Sequence, residues 1–464
     1  MLERGAVFHI LLPLLPSVSQ HLLFAVGAVL VYVVTTRARR EQRAPTSAIA
    51  WVMGLALLPY LVLPMYLLFG QRKLRVHTRR TPKPSGAAPS VHWAAELVQS
   101  FGLPAPSACR IRLHADGAEA REALWALIDG AQHRLDICTF IVGDDPLGRE
   151  TVARLVARAR AGVQVRLLLD GFGALMLPGQ YFDALHQAGG KTAVFRPLLR
   201  VRNDGPRNLR NHRKFAIADD ARLWSGGRNL AAEYFTGADG VPPWKDLSFD
   251  LAGPVASAAA QQFEADWAAV RQARPRHIDP TPEAADGALA QLLPSGPDQV
   301  EDTAQALLLD ACFRARRRIL AITPYFIPNE SLRDALRLAA RRGIAIDIAI
   351  PQRSNHRLAD LARSRAMRDL AAAGVNFHML PAMAHAKAVV VDDTLAMCGS
   401  INLDLRSLLL NHEANVVFYG EAEIAWLAQW VGALLHTGRH FDARPPSLAR
   451  DIGEGLLLTV AFQL

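Results

Sequence analysis

Apolar and polar positions alternate on three different periods along the chain, and each period predicts a different kind of element. AIAWVMGLALLPYLVLPMYLLF, residues 48 to 69, runs for 22 positions without a charge, long enough as a helix, at roughly 33 Å, to span a bilayer core. An earlier run within residues 17 to 36, LLFAVGAVLVYVV, follows polar Ser17, Ser19, Gln20 and His21. It predicts a second spanning helix, and the two together predict an uncleaved hairpin over residues 1 to 80. Pro59 and Pro64 interrupt the later run, which leaves room for a kinked or re-entrant form. TPKPSGAAPS (81 to 90) has the composition of a linker, and the expected linker extends to 107. From about 108 short apolar strands alternate with amphipathic helices, which predicts an α/β fold. RLDICTFIV (134 to 142) reads as a strand, GRETVARLVARARAG (148 to 162) as a helix with Val152, Leu155 and Val156 on one face, and VQVRLLLD (163 to 170) as the next strand. RRILAITPYFIP (317 to 328), SLRDALRLAARRG (331 to 343) and IAIDIAIP (344 to 351) repeat that order. Two similar halves follow, 108 to 273 and 301 to 464, with a Pro-rich linker from 274 to 300.

Composition narrows the setting. Hydrophobic residues make up 51% of 464 and the formal charge is +9. A chain this apolar is expected to meet lipid, and its charge favours anionic partners. Arg4 and the six basic residues of QRKLRVHTRRTPK (71 to 83) outnumber the four arginines of RARREQR (37 to 43) seven to four. The positive-inside rule then places the N-terminus and the main domain in the cytoplasm of a multi-pass protein. Cys109, Cys138, Cys312 and Cys398 are scattered without zinc or redox spacing, and read as reduced, buried thiols.

The candidate chemistry lies in a repeat. HRKFAIADDARLWSGGRN (212 to 229) aligns without gaps on HAKAVVVDDTLAMCGSIN (385 to 402), each position 173 from its twin. Identical pairs are His212 and His385, Lys214 and Lys387, Asp219 and Asp392, Asp220 and Asp393, Gly226 and Gly399, and Asn229 and Asn402. One histidine near one lysine is usually a solvated strand end. Here the polar identities hold while the apolar positions drift, the reverse of what packing alone would keep.

If each run is a strand, His212 and Lys214 share a face while Arg213, Phe215 and Ile217 take the other. Two imidazoles, two ammoniums and two carboxamides then surround one centre, an arrangement suited to a phosphodiester. One imidazole attacks phosphorus to give a phosphohistidine and the other protonates the leaving alkoxide. Lys214, Lys387, Asn229 and Asn402 would hold the non-bridging oxygens. The scheme calls for no metal or cofactor. Asp219 and Asp392, closing each H-x-K-x4-D run, are expected to anchor loops. Each imidazole also wants a carboxylate on its second nitrogen; Asp246 and Glu413, 34 and 28 residues after the histidines of their own halves, are the candidates.

The doubled pattern H-x-K-x4-D-x6-G-[GS]-x-N resembles the phospholipase D superfamily over about residues 108 to 464. Within it, the paired apolar segments, GGRN, PWKD (243 to 246), TPYFIPNESL (323 to 332), and GSINLDLRS with Ser400, followed by LNHEANVV, are similar to the bacterial cardiolipin synthases. The resemblance implies two α/β halves with the active site at their interface. It implies metal-free condensation of two phosphatidylglycerol molecules into cardiolipin and glycerol at a bacterial inner membrane, with membrane lipids and no nucleic acid as partners. It also implies that His212 attacks, that His385 is the acid and base, and that Asp246 and Glu413 orient the imidazoles. His412 stands where relatives carry an aromatic residue, and Gly227 where the general motif has serine. Two other readings compete with transfer to an alcohol: a phospholipase D-type hydrolase using water, and a silent membrane scaffold, which would not need both His/Lys/Asn sets.

Overall fold

Residues 17–38, 45–70, 72–73, 92–198, 208–238 and 240–458 are described in a computed structural model. They fall into two units, Met1–His77 with Asn203–Leu209, and Thr78–Arg202 with Arg210–Leu464. Residues 81–90, expected as a linker, and most of both basic stretches used to orient the hairpin lie outside the described residues.

In the N-terminal unit Val18–Ala38 forms one helix, of which Val18–Arg37 is long and apolar enough to cross a membrane. The second apolar run does not form the single helix expected over 48 to 69. It divides into Pro45–Leu57, Pro59–Met65 and a π-helical turn Tyr66–Gly70. The cause is Pro59, which has no N–H to donate and disfavours helical geometry in the residue before it; Leu58 accordingly sits at φ −132°, ψ 55°. Among the described helices, then, one has spanning length and the two-span hairpin is corrected to that helix with a broken apolar companion. Tyr66 locks the pair: its ring meets Tyr32 and Trp51 edge-on at 5.2 Å each, and its hydroxyl lies 2.7 Å from Thr35 Oγ1.

The larger unit is built on one long sheet. Its first half supplies β1 (Ser107–His114), β2 (Arg134–Thr139), β3 (Gln164–Asp170), β4 (Lys191–Phe195), β5 (Phe215–Ala218), β6 (Arg222–Gly226) and β7 (Ser248–Ala252). The second supplies β8 (Ala288–Ser295), β9 (Arg318–Ile322), β10 (Phe326–Ile327), β11 (Ala345–Pro351), β12 (Val375–Leu380), β13 (Ala388–Val391), β14 (Leu395–Gly399), β15 (Leu403–Asp404), β16 (Glu413–Phe418) and β17 (Arg439–His440). Fifteen of these pair in the order β4-β3-β2-β5-β6-β7-β1-β8-β16-β14-β13-β9-β11-β12-β17, while β10 and β15 pair separately.

Read outward from the antiparallel β1–β8 junction, both halves give the same sequence of strands: first strand, carboxylate strand, the hairpin that follows each H-x-K, then three parallel strands, to which the second half adds antiparallel β17 at its edge. β8 therefore occupies in the second half the place of β1 in the first. Its residues fall within 274–300, expected as linker, and the helix Trp93–Ser100 falls within the other expected linker. Both expectations are corrected. The pattern ALAQLLPS gave no clean alternation because the strand is buried from Ala290 to Ser295.

Period-two alternation sorts the core. Phe215 and Ile217 of β5 join a core shared by both halves on one face, under the helices Pro254–Arg271 and Glu421–Thr437. Ala216 and Ala218 join a second core beneath Gly117–Asp129 and Pro146–Arg160. Phe249 meets Phe418 edge-on at 5.5 Å within the shared core, so the halves are fused by packing as well as by hydrogen bonds.

Candidate active site

Pairing of Phe215 with Cys138 and of Ala388 with Ile322 sets the residues preceding β5 and β13 at the C-terminal ends of β2 and β9. His212 and Lys214, expected on a strand, lie in the extended segment just before it, as do His385 and Lys387. Each segment is pinned to the opposite half. His212 N–H donates to the His412 carbonyl at 2.8 Å, and His412 N–H to the Arg210 carbonyl at 2.8 Å. At the twin position His385 N–H donates to the Lys245 carbonyl at 2.7 Å, and Lys245 N–H to the Met383 carbonyl at 2.8 Å.

These bridges cross the histidine–carboxylate pairs. His212 Nδ1 donates to Glu413, 3.0 Å from both oxygens, and His385 Nδ1 donates to Asp246 Oδ2 at 2.8 Å. The sequence reading set each carboxylate downstream of the histidine in its own half; the fold gives it to the other. A carboxylate only accepts, so each pair fixes the proton on Nδ1 and leaves Nε2 with its lone pair. The lone pair is what attack on phosphorus or acceptance of a proton requires.

Burial dominates the electrostatics. It lowers Lys214 to about 8 and Lys387 to about 7. It also lowers His212, against the raising effect of Glu413. Burial, with the Lys387 charge beside it, takes His385 down to about 3. Burial alone would raise Glu413 and Asp246, but His212 and Lys214 hold the first below the usual carboxylate range, and His385, Lys387 and Arg228 hold the second there. The Lys387 charge reaches His212 and that of Lys214 reaches His385, so the two sets share one electrostatic site. Lys214 Nζ donates to the His212 carbonyl at 2.9 Å; Lys387 Nζ lies 3.1 Å from His385 Nε2 and also donates to the His385 carbonyl.

Asn229 Nδ2 donates to the Tyr234 hydroxyl at 2.8 Å and Asn402 Nδ2 to Ser407 Oγ at 3.1 Å, each with its carboxamide oxygen buried and unpartnered. Ser400 Oγ accepts the Ala414 N–H at 3.0 Å and bonds Glu413. Its counterpart is Gly227 for a steric reason: a Cβ there would stand 2.1 Å from Asp246 Oδ1. The shorter carboxylate needs the space that serine fills beside the longer one.

Asp219 and Asp392 each bind a run of backbone N–H groups. Asp219 accepts the backbone N–H groups of Gln132, His133 and Arg134 at 2.7 to 2.9 Å, and Asp392 those of Arg316, Arg317 and Arg318 at 2.8 Å each. Both sit in left-handed turns, φ 54° and 51°. They close β5 and β13 at the end away from the histidines.

Sequence reasoning missed the groups behind the site. Arg213, fully buried, donates to Asp266 Oδ1 at 2.6 Å, to Asp298 Oδ2 at 2.8 Å and through Nε to the Glu413 carbonyl at 3.0 Å. Arg228, also buried, donates to the Asp246 carbonyl at 2.8 Å. Two arginines of the first motif thus hold the backbone of both carboxylates; at the twin positions the second motif has Ala386 and Ile401. His412 is buried, 3.3 Å from Asp298, and burial lowers it to about 4. Asp266, Asp298 and His412 cluster as metal ligands would, but Arg213 already occupies both carboxylates. Phe140 lies edge-on to His212 at 5.1 Å, and Tyr234 and Trp244 flank His385 at 4.9 and 5.7 Å. The available signal was Arg213 itself, a charge set on a strand's buried face, which demands partners.

Comparison with known proteins fits this architecture. A family model described as cardiolipin synthase, PLD-like domain matches residues 124–267 and 308–435, and a phospholipase D-nuclease N-terminal model matches 24–71. Cardiolipin synthase A of Pseudomonas entomophila (strain L48) is 32% identical over 81% of this chain and 83% of its own. Cardiolipin synthase A of Pseudomonas aeruginosa (strain LESB58) is 32% identical over 88% and 89%. A crystal structure of phosphatidylserine synthase from Haemophilus influenzae Rd KW20 shares the fold, with TM-score 0.62 and 13% identity over 80% of this chain and all of its own. The two motif-bearing halves, each matched in turn by one family model, and the extent of these relatives show that the chain belongs to the cardiolipin synthase family of phospholipase D-like proteins.

Proposed function

We propose that the protein is a membrane-associated phosphatidyltransferase that joins two phosphatidylglycerol molecules into cardiolipin and glycerol. The observation that carries this reading is the crossed arrangement of His212 on Glu413 and His385 on Asp246, with Lys214 and Lys387 beside them. His212 Nε2 attacks phosphorus, the bond from phosphorus to the headgroup glycerol oxygen breaks, and His385 supplies the proton with which glycerol leaves. The anionic diester, drawn in by the lysines, raises the proton affinity of His385 that burial and Lys387 depress. The terminal hydroxyl of a second phosphatidylglycerol then gives its proton to His385 and attacks the phosphohistidine, and the P–N bond breaks to release cardiolipin. The second N–H of Asn229 serves the non-bridging oxygens, while the Asn402 amide bonds Ser407 and Asp404. Arg213 and Arg228 act as positioning residues through the carboxylate backbone.

The span-length helix Val18–Arg37 supports a bilayer setting, and the seven-to-four distribution of basic residues supports a cytoplasmic catalytic unit. Purified protein in phosphatidylglycerol vesicles is expected to yield cardiolipin and glycerol in equal amounts, and His212→Ala to abolish both. Phosphatidic acid as the main product would replace the transferase reading with a hydrolase. A stable phosphoryl label on His385 in place of His212 would reverse the two roles.

A further inference from the structure

The parallel strands of both halves end at the histidine-bearing edge of the sheet, and so do the segments that follow them. After β3 comes the short helix Gly171–Leu175, where Phe172, Leu175 and Met176 are exposed; after β11, at the place related by the repeat, comes the helix Arg357–Ala371, whose Leu358 and Leu361 are exposed in its first two turns. Exposed large apolar side chains at equivalent places in both halves are not what solvent favours, and grouped ones mark a binding surface. The first group is continuous with the site: Phe172 stacks on Phe140 at 5.7 Å, and Phe140 meets His212. The second lies beside exposed Arg353 and Arg357, and exposed Lys245 stands on the same edge next to Asp246. Apolar side chains interleaved with cations fit an anionic lipid surface, where the first enter the headgroup boundary and the second meet phosphates.

We propose that this edge docks on a bilayer of anionic phospholipid, with Leu175, Met176, Leu358 and Leu361 entering the interfacial layer on either side of the site. This rests on the lipid-diester reading above, and the test separates the two. The four native cysteines are buried, so a cysteine introduced at Met176 or Leu361 in the full chain takes a bimane label selectively. In proteoliposomes of phosphatidylglycerol with brominated acyl chains, labels at Met176→Cys and Leu361→Cys are expected to lose half or more of their emission. A label at Leu338→Cys, exposed in the last turn of Glu330–Arg341 at the opposite edge, is expected to lose none. Equal quenching at all three positions, or at none, overturns the proposal even if cardiolipin is made. Quenching at the two rim positions without cardiolipin sustains the docking and removes the assigned reaction.

A second arm uses Leu175→Asp and Leu361→Asp. Turnover of phosphatidylglycerol in vesicles is expected to fall by about tenfold or more, as a charge is forced into the interface, while cleavage of water-soluble bis(4-nitrophenyl) phosphate is unchanged. Equal loss on both substrates assigns these residues to the fold and overturns the proposal.

Discussion

Lys387 and Lys214 carry the most readable consequence of burial. Their ammoniums are depressed to about 7 and about 8, so both are charged at mildly acid pH and lose their protons as pH rises through that window. The substrate phosphate is an anion throughout, and its affinity should follow the ammoniums. The Michaelis constant is expected to be flat below about pH 6.5 and to rise by up to tenfold per pH unit for each ammonium lost above it. His212 and His385 are lowered below their ordinary value, so loss of the free Nε2 should set in only below the pH at which a free imidazole titrates. A Michaelis constant unchanged to pH 9 would remove the lysines from phosphate binding. Arg213 makes a different kind of prediction. Arg213→Met leaves buried Asp266 and part-buried Asp298 without their cation, which should cost about 3 to 5 kcal/mol in stability. The double change Arg213→Met with Asp298→Asn should recover part of that loss in denaturant unfolding. Recovery of stability without recovery of kcat would show that the guanidinium also positions Glu413 through its carbonyl.

At the scale of the element, the turn that ends each H-x-K strand shows why the motif spacing holds. Four residues of β5 or β13 carry the chain from the site to a left-handed aspartate, and that aspartate ties the turn to the start of β2 or β9, the antiparallel neighbour. Asp219→Ala removes a carboxylate that accepts three charge-assisted hydrogen bonds and puts alanine at positive φ. A loss of about 2 to 4 kcal/mol is expected, with kcat of the folded fraction unchanged; a selective fall in kcat would place Asp219 in the chemistry. The opposite outcome is expected at Gly227→Ser, where the new side chain collides with Asp246. There kcat should fall while the midpoint of unfolding moves little, because the carboxylate can swing away from His385. How far elements were legible follows from the same local rules. Strong alternation and amphipathic spacing located β2, β3, β9 and β11 and the helices between them. A run of apolar residues located the second N-terminal segment, but Pro59 decided its form, and counting hydropathy alone gave one helix where the backbone makes two.

At the scale of the whole molecule, what the sequence hid is the exchange between halves. The offset of 173 residues revealed two copies of His, Lys and Asn, and the spacing of 34 and 28 residues to Asp246 and Glu413 looked like two self-contained sets. Nothing in one strand's pattern says which half closes on which carboxylate. That is fixed by β8 taking the place of β1, which joins the halves edge to edge and turns each carboxylate strand, β7 or β16, toward the other half's histidine. One consequence can be measured. Because both histidine–carboxylate pairs are intramolecular in a sheet continuous through β1 and β8, a chain lacking either histidine cannot borrow one from a neighbour without unpairing that junction. Chains carrying His212→Ala and chains carrying His385→Ala, purified separately and mixed in phosphatidylglycerol vesicles, are expected to make no more cardiolipin than either alone, and co-expression should give the same result. Recovery to about a quarter of wild-type activity on co-expression, the share expected if halves exchange freely between chains, would mean that the second half of one chain completes the first half of another, and that β1–β8 pairing forms between molecules.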